Sequence, residues 1–273
     1  MNLTVPFWKM HGAGNDFILV DDRRGTFPAA DRAWMAAVGA RRTGVGCDGI
    51  ILIQPSTSAD FRMRFFNPDG GEADMCGNGA RCVARLAHEI GAAPADMGIE
   101  TAAGALRATV LGDGRVRLRM TDPRDWRMGR TLRMEGGPLE YGFVNTGVPH
   151  AVVEVGDLAA VDVARLGAAV RHHGDFQPAG TNANFVHVEA DGAVRVRTYE
   201  RGVEGETLAC GTGMVASALV AAKLGRVRLP ALVRPASGDT LEVGGRAHGD
   251  GFRDVTLTGP AVHVYRGELD YRR

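Results

Sequence analysis

The chain has 273 residues, of which 45% are apolar, and its 32 basic and 32 acidic side chains give a formal net charge of zero. This length suits one large domain or two of ordinary size, and the balanced charge argues against a nucleic-acid or anionic-membrane partner. The most apolar stretch, 214–222, is too short to span a bilayer, and the N-terminus lacks the apolar segment of a signal peptide. We therefore expect a cytosolic, cytoplasmic enzyme.

Glycine makes up 38 of the 273 residues, about twice the usual share of roughly 7%. This content indicates many tight turns and close backbone approaches, as in a strand-rich fold. The four cysteines lie at positions 47, 76, 82 and 210. They show no C-x-x-C spacing, so the sequence predicts thiols in a reducing compartment and no structural metal site.

In chain order, the first half reads as a strand, a helix, further strands, a turn with a cysteine, a second helix and a hairpin. The segment 61–79 begins as an alternating strand with arginine at every second place and ends in C-G-x-G. Glu72 lies four residues before Cys76, and the alanine-rich stretch after the cysteine ends at Gly91, which is typical of a helix end. The sequence therefore predicts that Cys76 directly precedes a helix.

The second half repeats this order. The segment 194–213 has the same alternating strand, polar turn and C-G-x-G, with Glu206 four residues before Cys210 and Gly225 at the end of the next helix. Three further pairs of blocks recur in the same order: 12–21 with 145–155, 44–53 with 180–188, and 105–123 with 240–260. Four echoes in register predict an internal duplication.

We predict a mixed α/β fold of two pseudo-symmetric, duplicated domains, each a curved, mainly antiparallel sheet around a central helix. The helix after Cys210 is apolar on every side, which places it inside such a sheet. The helix after Cys76 keeps a polar stripe through Arg81, Arg85 and His88, which predicts a less complete enclosure.

The domain boundary is predicted in the polar, turn-rich segment near 130–138. It gives a first domain, 1–133, that contains Cys76, and a second domain, 134–273, that contains Cys210. The last strand is expected to be able to pack back on the first half.

The paired cysteines are the candidate catalytic residues. Each lies just before Gly-x-Gly and a helix start, where exposed N–H groups and the positive end of the helix dipole stabilise an anion. A thiol in that place loses its proton more readily than an ordinary thiol, and the same N–H groups can bind a carboxylate. Two such units would supply a base on one face of an amino acid and an acid on the other. We therefore predict a cofactor-independent inversion of an amino-acid α-carbon by Cys76 and Cys210.

Other polar residues have simpler interpretations when each is taken alone. Cys47 and Cys82 fit small buried hydrophobic residues. Glu200 and Arg201 could form a surface pair at a strand end, and His150 could be a structural histidine. Four asparagines lie beside glycine or proline turns, where asparagine is common for local reasons: Asn15, Asn67, Asn78 and Asn182.

Four motifs together resemble the diaminopimelate epimerase family. They are K-M-H-G-A-G-N-D-F from Lys9, N-P-D-G-G-E-A-D-M-C-G-N-G-A-R-C from Asn67, V-N-T-G-V-P-H from Val144 and Y-E-R-G-V-E-G-E-T-L-A-C-G-T-G from Tyr199. The resemblance covers essentially the whole chain. It implies a pyridoxal-independent isomerase that interconverts LL- and meso-2,6-diaminopimelate, a small-molecule substrate of bacterial lysine and peptidoglycan precursor synthesis. It also implies a site between two α/β domains, and we expect a homodimer.

The resemblance implies a role for each matching residue. Cys76 and Cys210 would be the acid/base pair, and His150 and Glu200 would help to set the protonation of the thiols. Two dipeptides would hold the reacting carboxylate: Gly77-Asn78 and Gly211-Thr212. The rest of the substrate would be gripped by the remaining polar residues: Asn15, Asn67, Asn182, Glu200 and Arg201.

Two positions depart from the family pattern: Val148 stands where many members carry asparagine, and Gly49 where many carry glutamine. Three other functions stay open. Another racemase on this scaffold, acting on histidine or proline, is disfavoured by Arg201, because a guanidinium suits a second carboxylate. A redox or metal-binding protein would need a ligand spacing or a resolving cysteine that the sequence lacks. A non-catalytic relative would be expected to have lost one thiol.

Overall fold

The structure is a computed structural model that describes residues 2–272, which form eighteen strands and four α-helices. The strands are β1 (Asn2–Gly12), β2 (Asn15–Asp21), β3 (Gly49–Gln54), β4 (Phe61–Phe66), β5 (Glu72–Ala73), β6 (Asp96–Thr101), β7 (Gly104–Val110), β8 (Val116–Arg119), β9 (Arg124–Met134), β10 (Gly137–Asn145), β11 (Pro149–Glu154), β12 (Asn182–Val188), β13 (Val194–Glu200), β14 (Gly205–Thr207), β15 (Ala231–Arg234), β16 (Leu241–His248), β17 (Gly251–Gly259) and β18 (Val262–Arg272). The helices are α1 (Arg32–Gly39), α2 (Gly77–Glu89), α3 (Val163–Arg171) and α4 (Gly211–Lys223).

The chain divides into two compact units, one of residues 2–118 with 259–272 and the other of residues 119–258. In the first unit, β1 pairs antiparallel with β18 and with β2, and β2 pairs parallel with β3. β3 pairs antiparallel with β4, which pairs antiparallel with β5 and parallel with β6. β6 pairs antiparallel with β7, and β7 pairs antiparallel with β8. The second unit repeats this pattern from β9 to β17, with β10 in the place of β1 and β9 in that of β18. This correspondence confirms the predicted pseudo-symmetric duplication.

The strand register is repeated as well. Phe66 lies opposite Glu72 in the first unit, and Tyr199 lies opposite Glu206 in the second. The residue after each aromatic ring is therefore equivalent, which makes Asn67 the counterpart of Glu200.

The same comparison extends to the parallel strand pairs. Ile50 lies opposite Phe66 and Ala183 opposite Tyr199, so the residues just before them, Gly49 and Asn182, are equivalent. Gly49 lies opposite Phe17, and Asn182 lies opposite His150. Phe17 and His150 are therefore equivalent. Two residues before them, Asn15 in the first unit is the counterpart of Val148 in the second.

Each sheet lies between two helices of its own unit. In the first unit, Ile18 and Ile50 belong to one apolar cluster with Met35 of α1. The alternate side chains Phe17 and Ile51 face α2, since a Cβ added at Gly79 would lie 3.5 Å and 2.7 Å from them. In the second unit, Ala151 and Phe185 cluster with Val163 and Val170 of α3 in the same way.

Both central helices are enclosed by strands. Every residue of α4 from Gly213 to Ala221 is buried, and α4 contacts strands β10–β13, β15 and β16, as predicted from its apolar sequence. The prediction of a polar stripe on α2 was wrong at Arg81, whose side chain is fully buried. Its guanidinium is accommodated because Nη2 donates to Asn78 Oδ1 at 2.9 Å and Nε donates to the Pro260 carbonyl at 3.2 Å.

The glutamates four residues before the cysteines are structural. Glu72 accepts two hydrogen bonds from Arg64 across β4 and β5, both at 2.8 Å. Glu206 accepts two from Arg197 across β13 and β14, at 2.7 and 2.8 Å. Each bidentate pair ties the short strand that leads to a cysteine to the longer strand beside it.

The segment interpreted as the domain boundary, 130–138, belongs to the second unit. Its residues lie in the antiparallel hairpin of β9 and β10, in which Met134 lies opposite Gly137. The division lies instead between Leu118 and Arg119, and β18 belongs to the first unit. The polar residues of the segment mark the exposed face and the turn of a hairpin, which in sequence resemble a linker.

The duplicated helix ends give a stability prediction. Gly91 and Gly225 follow α2 and α4 with φ of +67° and +72°, and an added Cβ at either would meet nothing within 4 Å. Gly91→Ala and Gly225→Ala should therefore each lower the free energy of unfolding by about 1–2 kcal/mol, through backbone strain alone. Gly156→Ala, at an equally open site without positive φ, should be neutral or slightly stabilising. Urea unfolding of the three variants tests this, and equal effects would contradict it.

Candidate functional site

Cys76 and Cys210 are the N-cap residues of α2 and α4, both with extended backbone, at φ −135°, ψ 119° and φ −108°, ψ 110°. Their carbonyls accept the first helical hydrogen bonds, from Ala80 N at 2.8 Å and Met214 N at 2.9 Å. The intervening N–H groups have no acceptor inside the helix. These are the N–H groups of the predicted carboxylate cradles: Gly77, Asn78, Gly211 and Thr212.

Glycine leaves space at both helix starts. A Cβ added at Gly77 would meet nothing within 4 Å, and one at Gly211 would meet a single side-chain atom of Leu257 at 3.5 Å. The folded chain therefore does not itself require glycine at either place. Absence of a side chain does let a bound group approach the backbone N–H groups closely.

The Cys76 cluster comprises Asn15, Asp48, Cys76, Asn78 and Arg81. Cys76 Sγ donates to Asn15 Oδ1 at 3.5 Å, and Asn78 Nδ2 donates to the same oxygen at 3.3 Å. Asn15 Nδ2 donates to Asp48 Oδ2 at 2.6 Å. Two of the asparagines that could have been simple turn residues are thus joined to the thiol.

Three charged side chains adjoin the Cys76 cluster: Arg41, Asp16 and Lys9. Arg41 Nη2 donates to Asp16 Oδ1 at 2.6 Å and to Asp48 Oδ1 at 2.7 Å, and the buried Lys9 donates to Asp16 Oδ2 at 2.5 Å. Burial raises the pKa of Asp16, but the hydrogen bonds from Lys9 and Arg41 outweigh it and hold the pKa below its ordinary value. Asp16 is therefore held by two cations, Lys9 and Arg41, and Asp48 is held by Arg41.

The Cys210 cluster comprises His150, Asn182, Asn184, Glu200 and Cys210. Cys210 is 7% exposed, its Sγ lies 3.6 Å from Thr212 Oγ1, and its thiol hydrogen-bonds to Glu200. Glu200 Oε2 also accepts from Thr207 Oγ1 at 2.9 Å. Burial raises the pKa of Glu200, and the hydrogen bonds from Thr207 and Cys210 oppose that rise. Cys210 thus faces a carboxyl group where Cys76 faces an amide.

His150 is completely buried and its ring orientation is fixed by Asn184. Asn184 Nδ2 donates to the Ala151 carbonyl at 3.0 Å and lies 3.1 Å from His150 Nδ1, while Asn184 Oδ1 accepts from Thr198 Oγ1 at 3.0 Å. Because Nδ1 accepts, the neutral ring carries its proton on Nε2. Within residues 2–272 this buried Nε2 has no hydrogen-bond partner. The His150 ring is therefore hydrogen-bonded at Nδ1, and its Nε2–H has no acceptor among the described residues.

Asn182 and Arg201 are brought together at the strand ends beside His150. Arg201 N donates to Asn182 Oδ1 at 2.8 Å, and Asn182 Nδ2 donates to the Pro149 carbonyl at 2.9 Å. The guanidinium of Arg201 donates to the Ala179 carbonyl at 3.0 Å. Asn182 thus fixes the backbone from which Arg201 extends, and the interpretation of Arg201 as half of a surface pair with Glu200 has no support in these contacts.

The remaining candidate, Asn67, is exposed and follows β4 directly. Its backbone closes the β4–β5 turn, with Asn67 N donating to the Gly71 carbonyl at 2.8 Å and Gly70 N donating to the Asn67 carbonyl at 2.9 Å. The structure places it at the position equivalent to Glu200, at the end of the strand that leads toward the cysteine.

The two departures from the family pattern have different surroundings. Val148 lies in the turn before β11, where its carbonyl accepts from Thr146 N at 3.1 Å. Gly49 has no space for a side chain, because a Cβ there would lie 2.3 Å from Phe65 Cε2 and 2.9 Å from the Phe66 carbonyl. The ring of Phe65 fills the position that a longer residue at 49 would use.

Cys47 and Cys82 are buried, with exposures of 2% and 0%, which confirms their interpretation as small core residues. Burial raises the pKa of the Cys47 thiol to about 11 and that of Cys82 to about 12. Within residues 2–272, no group of three or more His, Cys, Asp or Glu side chains is arranged to hold a metal ion. None of the helices in that range is both long and apolar enough to cross a membrane.

Several residues of these clusters were not identified from the sequence. Neither Asp48 nor Arg41 was singled out in the sequence, and Arg81 was interpreted as part of a polar stripe on its helix. Asn184 lies two places after Asn182 on a strand that is otherwise apolar. That spacing was a usable signal, since residues two apart on a strand share one face.

The buried histidine gives a pH prediction. Burial lowers the pKa of His150 to about 3, and the charge of Arg201 acts in the same direction. The unfolded chain therefore binds this proton first as the pH falls below about 6.5, and stability present above that pH is lost on acidification. At pH 5 the loss should be about 2 kcal/mol. His150→Gln should flatten the decline between pH 7.5 and 5 in urea unfolding, whereas parallel curves would contradict the buried, neutral state.

Comparison with known proteins places the chain in a family. A family model described as diaminopimelate epimerase matches residues 7–126 and 142–264. A protein of that name from Chlorobaculum tepidum is 44% identical over 263 residues, covering 95% of this chain and 99% of its own length. Another from Aquifex aeolicus is 42% identical over 276 residues, covering 97% and 98%.

Solved structures share the fold at low identity. A hydroxyproline epimerase from Agrobacterium vitis, with bound trans-4-hydroxy-L-proline, has a TM-score of 0.70 at 20% identity and covers 98% of this chain and 92% of its own. A PhzF-family phenazine biosynthesis protein from Bacillus anthracis has a TM-score of 0.71 at 18% identity, with coverage of 98% and 99%. The fold is thus shared by proteins of different names, and the family follows from the closer sequence relatives. The chain belongs to the diaminopimelate epimerase family.

Proposed function

We propose that this protein is a diaminopimelate epimerase, an isomerase that interconverts LL- and meso-2,6-diaminopimelate by proton transfer at one α-carbon, in lysine and peptidoglycan precursor synthesis. The observation that carries the proposal is the duplicated helix start with a cysteine at the N-cap, found in a chain 44% identical to a relative of that name. A cysteine, open backbone N–H groups and adjacent glycines are the parts that this chemistry needs, and the chain has two sets.

The proposed reaction uses Cys76 and Cys210 as acid and base. One sulfur, as thiolate, takes the α-proton, and the other, as thiol, delivers a proton to the opposite face of the same carbon. The carboxylate beside that carbon would accept hydrogen bonds from the backbone N–H groups of the two helix starts: Gly77, Asn78, Gly211 and Thr212. Those N–H groups and the helix dipoles stabilise the negative charge that develops when the α-proton leaves.

Glu200 and His150 are proposed to set the protonation of the thiols. The hydrogen bond between Cys210 and Glu200 supports this for Glu200, because a carboxylate that accepts from the thiol favours its protonated form. For His150 the support is its buried Nε2–H, which lacks a partner within residues 2–272. A buried donor of this kind is costly unless a bound group or water completes it.

The rest of the substrate is proposed to be held by Asn15, Asn67, Asn182, Glu200 and Arg201. Support for Arg201 comes from its fixed backbone and its partly exposed guanidinium, which can pair with the distal carboxylate in two parallel hydrogen bonds. Position 49, where many family members carry glutamine, cannot contribute a side chain to the substrate in this protein, because Phe65 occupies that space.

The chemistry is proposed to proceed without a cofactor. A pyridoxal enzyme forms a Schiff base with a lysine, and the chain has two lysines, Lys9 and Lys223. Lys9 is 6% exposed and ion-paired with Asp16. Lys223 pairs with Asp250 and lies 4.9 Å from the centre of the Trp126 ring. Neither lysine is part of the cysteine clusters.

We further propose that the protein is a cytoplasmic homodimer with no nucleic-acid or membrane partner. The buried thiols of Cys47 and Cys82 fit a reducing compartment. Three exposed apolar side chains on β18 fit a self-complementary contact: Val262, Val264 and Tyr265. Sedimentation equilibrium and cell fractionation test these two statements, and a monomer at micromolar concentration would contradict the first.

Two-base transfer predicts where solvent hydrogen appears. In deuterated water with LL-diaminopimelate, early product should carry deuterium at the inverted carbon while recovered substrate stays largely protonated, because a thiol holds one proton and cannot return the substrate's own. Cys76→Ala and Cys210→Ala should each lower the rate of inversion by about 100-fold or more. Cys82→Ala, which removes a buried thiol from the same helix as Cys76, should keep inversion. Early product with its original hydrogen, or a single-cysteine variant at near-normal rate, would refute the mechanism.

The substrate assignment predicts a specific effect at Arg201. Arg201→Met should lower kcat/KM, because the distal carboxylate loses its charged partner. The loss of transition-state stabilisation should be about 2–4 kcal/mol. Arg195→Met removes an arginine from the neighbouring strand β13 and should leave kcat/KM unchanged. Steady-state kinetics with LL-diaminopimelate test this, and an effect of only a few-fold at Arg201 would leave the distal carboxylate without its proposed partner.

A further inference from the structure

A continuous chain of polar groups runs through the Cys76 cluster. Asp48 Oδ2 accepts from Asn15 Nδ2 at 2.6 Å, Asn15 Oδ1 accepts from Asn78 Nδ2 at 3.3 Å, and Asn78 Oδ1 accepts from Arg81 Nη2 at 2.9 Å. Two neutral amides thus lie in series between a carboxylate and a guanidinium. Cys76 joins the chain at its middle, since Sγ donates to Asn15 Oδ1 at 3.5 Å.

The two ends of this chain determine which way each amide faces. A carboxylate can only accept hydrogen bonds, so Asn15 must turn its NH2 group toward Asp48. A guanidinium can only donate, so Asn78 must turn its oxygen toward Arg81. Both constraints agree on the middle contact, where the NH2 of Asn78 meets the oxygen of Asn15. The orientation is therefore set by chemistry and not by an arbitrary choice between amide oxygen and nitrogen.

This orientation has a consequence for Cys76. An amide oxygen accepts from a thiol and so favours the thiol, whereas an amide NH2 in the same place would favour the thiolate. The start of α2 acts in the opposite sense, because its N–H groups and dipole stabilise an anion. The protonation state of Cys76 thus depends on two opposing effects: the Asn15 oxygen favours the thiol, and the start of α2 favours the thiolate.

We propose that Asp48 is a positioning residue that holds the Asn15 amide with its oxygen toward Cys76 and so keeps Cys76 as a thiol between turnovers. This inference rests on the proposed function, in which Cys76 is one of the two acid/base groups. Asp48 is itself held by Arg41 at 2.7 Å. The other charged groups nearby are Arg81 within the cluster and the adjoining pair of Asp16 and Lys9. Val148, the counterpart of Asn15, has no such amide, and Cys210 is paired with Glu200 instead.

The test measures the reactivity of Cys76 and needs no turnover. Cys76 is alkylated with iodoacetamide over a range of pH and its peptide is quantified by mass spectrometry, in a Cys210→Ser background so that one reactive thiol titrates alone. Four proteins form a cycle: the parent, Asp48→Ala, Asn15→Ala and the double variant. The buried Cys47 and Cys82 report in the same samples whether the fold is intact.

With Asn15 present, Asp48→Ala should move the midpoint of the alkylation profile to lower pH and raise the rate at pH 7 by about three- to tenfold, as expected for one lost hydrogen bond. With Asn15→Ala, the same change should alter the rate by less than about twofold, since only the charge of Asp48 is then removed. Asp48→Asn, which can still offer an oxygen to Asn15, should lie between the parent and Asp48→Ala. Arg41→Gln, which removes a cation but leaves the Asp48–Asn15 contact, should leave the midpoint unchanged or move it to higher pH.

An equal shift with and without Asn15 would mean that Asp48 acts by charge alone, and no shift with Asn15 present would mean that it does not act on Cys76. Either result overturns the inference. These outcomes are separate from the proposed function, because inversion is measured on the protein that keeps both cysteines and alkylation on its Cys210→Ser form. Inversion by the former with no shift in the latter refutes only the role of Asp48. The predicted cycle in the latter with no inversion by the former refutes only the proposed function.

Discussion

A helix that is surrounded by sheet can present only its ends to a ligand, and this constraint shapes both units. Every residue of α2 from Asn78 to Ala84 and of α4 from Gly213 to Ala221 is buried. At the start of each helix, the groups that can meet a ligand are therefore the N-cap residue and the N–H groups that no helical carbonyl accepts. A cysteine at the N-cap uses that position for a nucleophilic or basic atom. The strands around each helix then supply the polar groups that can reach the same end.

The duplication gives two similar frames whose polar residues have diverged. Register equates Asn15 with Val148 and Asn67 with Glu200. The Asn15 amide lies beside Cys76, and the Glu200 carboxyl lies beside Cys210. Symmetry of the backbone therefore coexists with asymmetry of the polar groups that lie beside each sulfur. An enzyme that must run in both directions needs one protonated and one deprotonated thiol, and unlike neighbours are one way to distinguish the two.

The sequence predicted the features that depend on local pattern. The alternating strands, the helix starts at Cys76 and Cys210, and the terminal glycines 91 and 225 could all be read because the responsible residues are close together along the chain. The buried position of Arg81 could not, since it depends on acceptors at Asn78 and at the distant Pro260. The partnership of Asn15 with Asp48 was missed for the same reason, as the two residues come from separate segments that meet only when β2 and β3 pair. The hairpin at 130–138 was mistaken for a boundary because exposed strands and linkers have similar composition.

The filled space at Gly49 bears on how this sequence can change over time. A glutamine cannot enter at position 49 while Phe65 keeps its ring there, since even a Cβ would overlap the ring and the Phe66 carbonyl. A smaller residue at 65 would in turn leave a void beside Phe17, whose ring packs edge-on against Phe65 at 6.2 Å. Each single replacement is thus unfavourable until the other has occurred. Positions 49 and 65 should consequently behave as an epistatic pair, with lineages carrying one combination or the other and few intermediates.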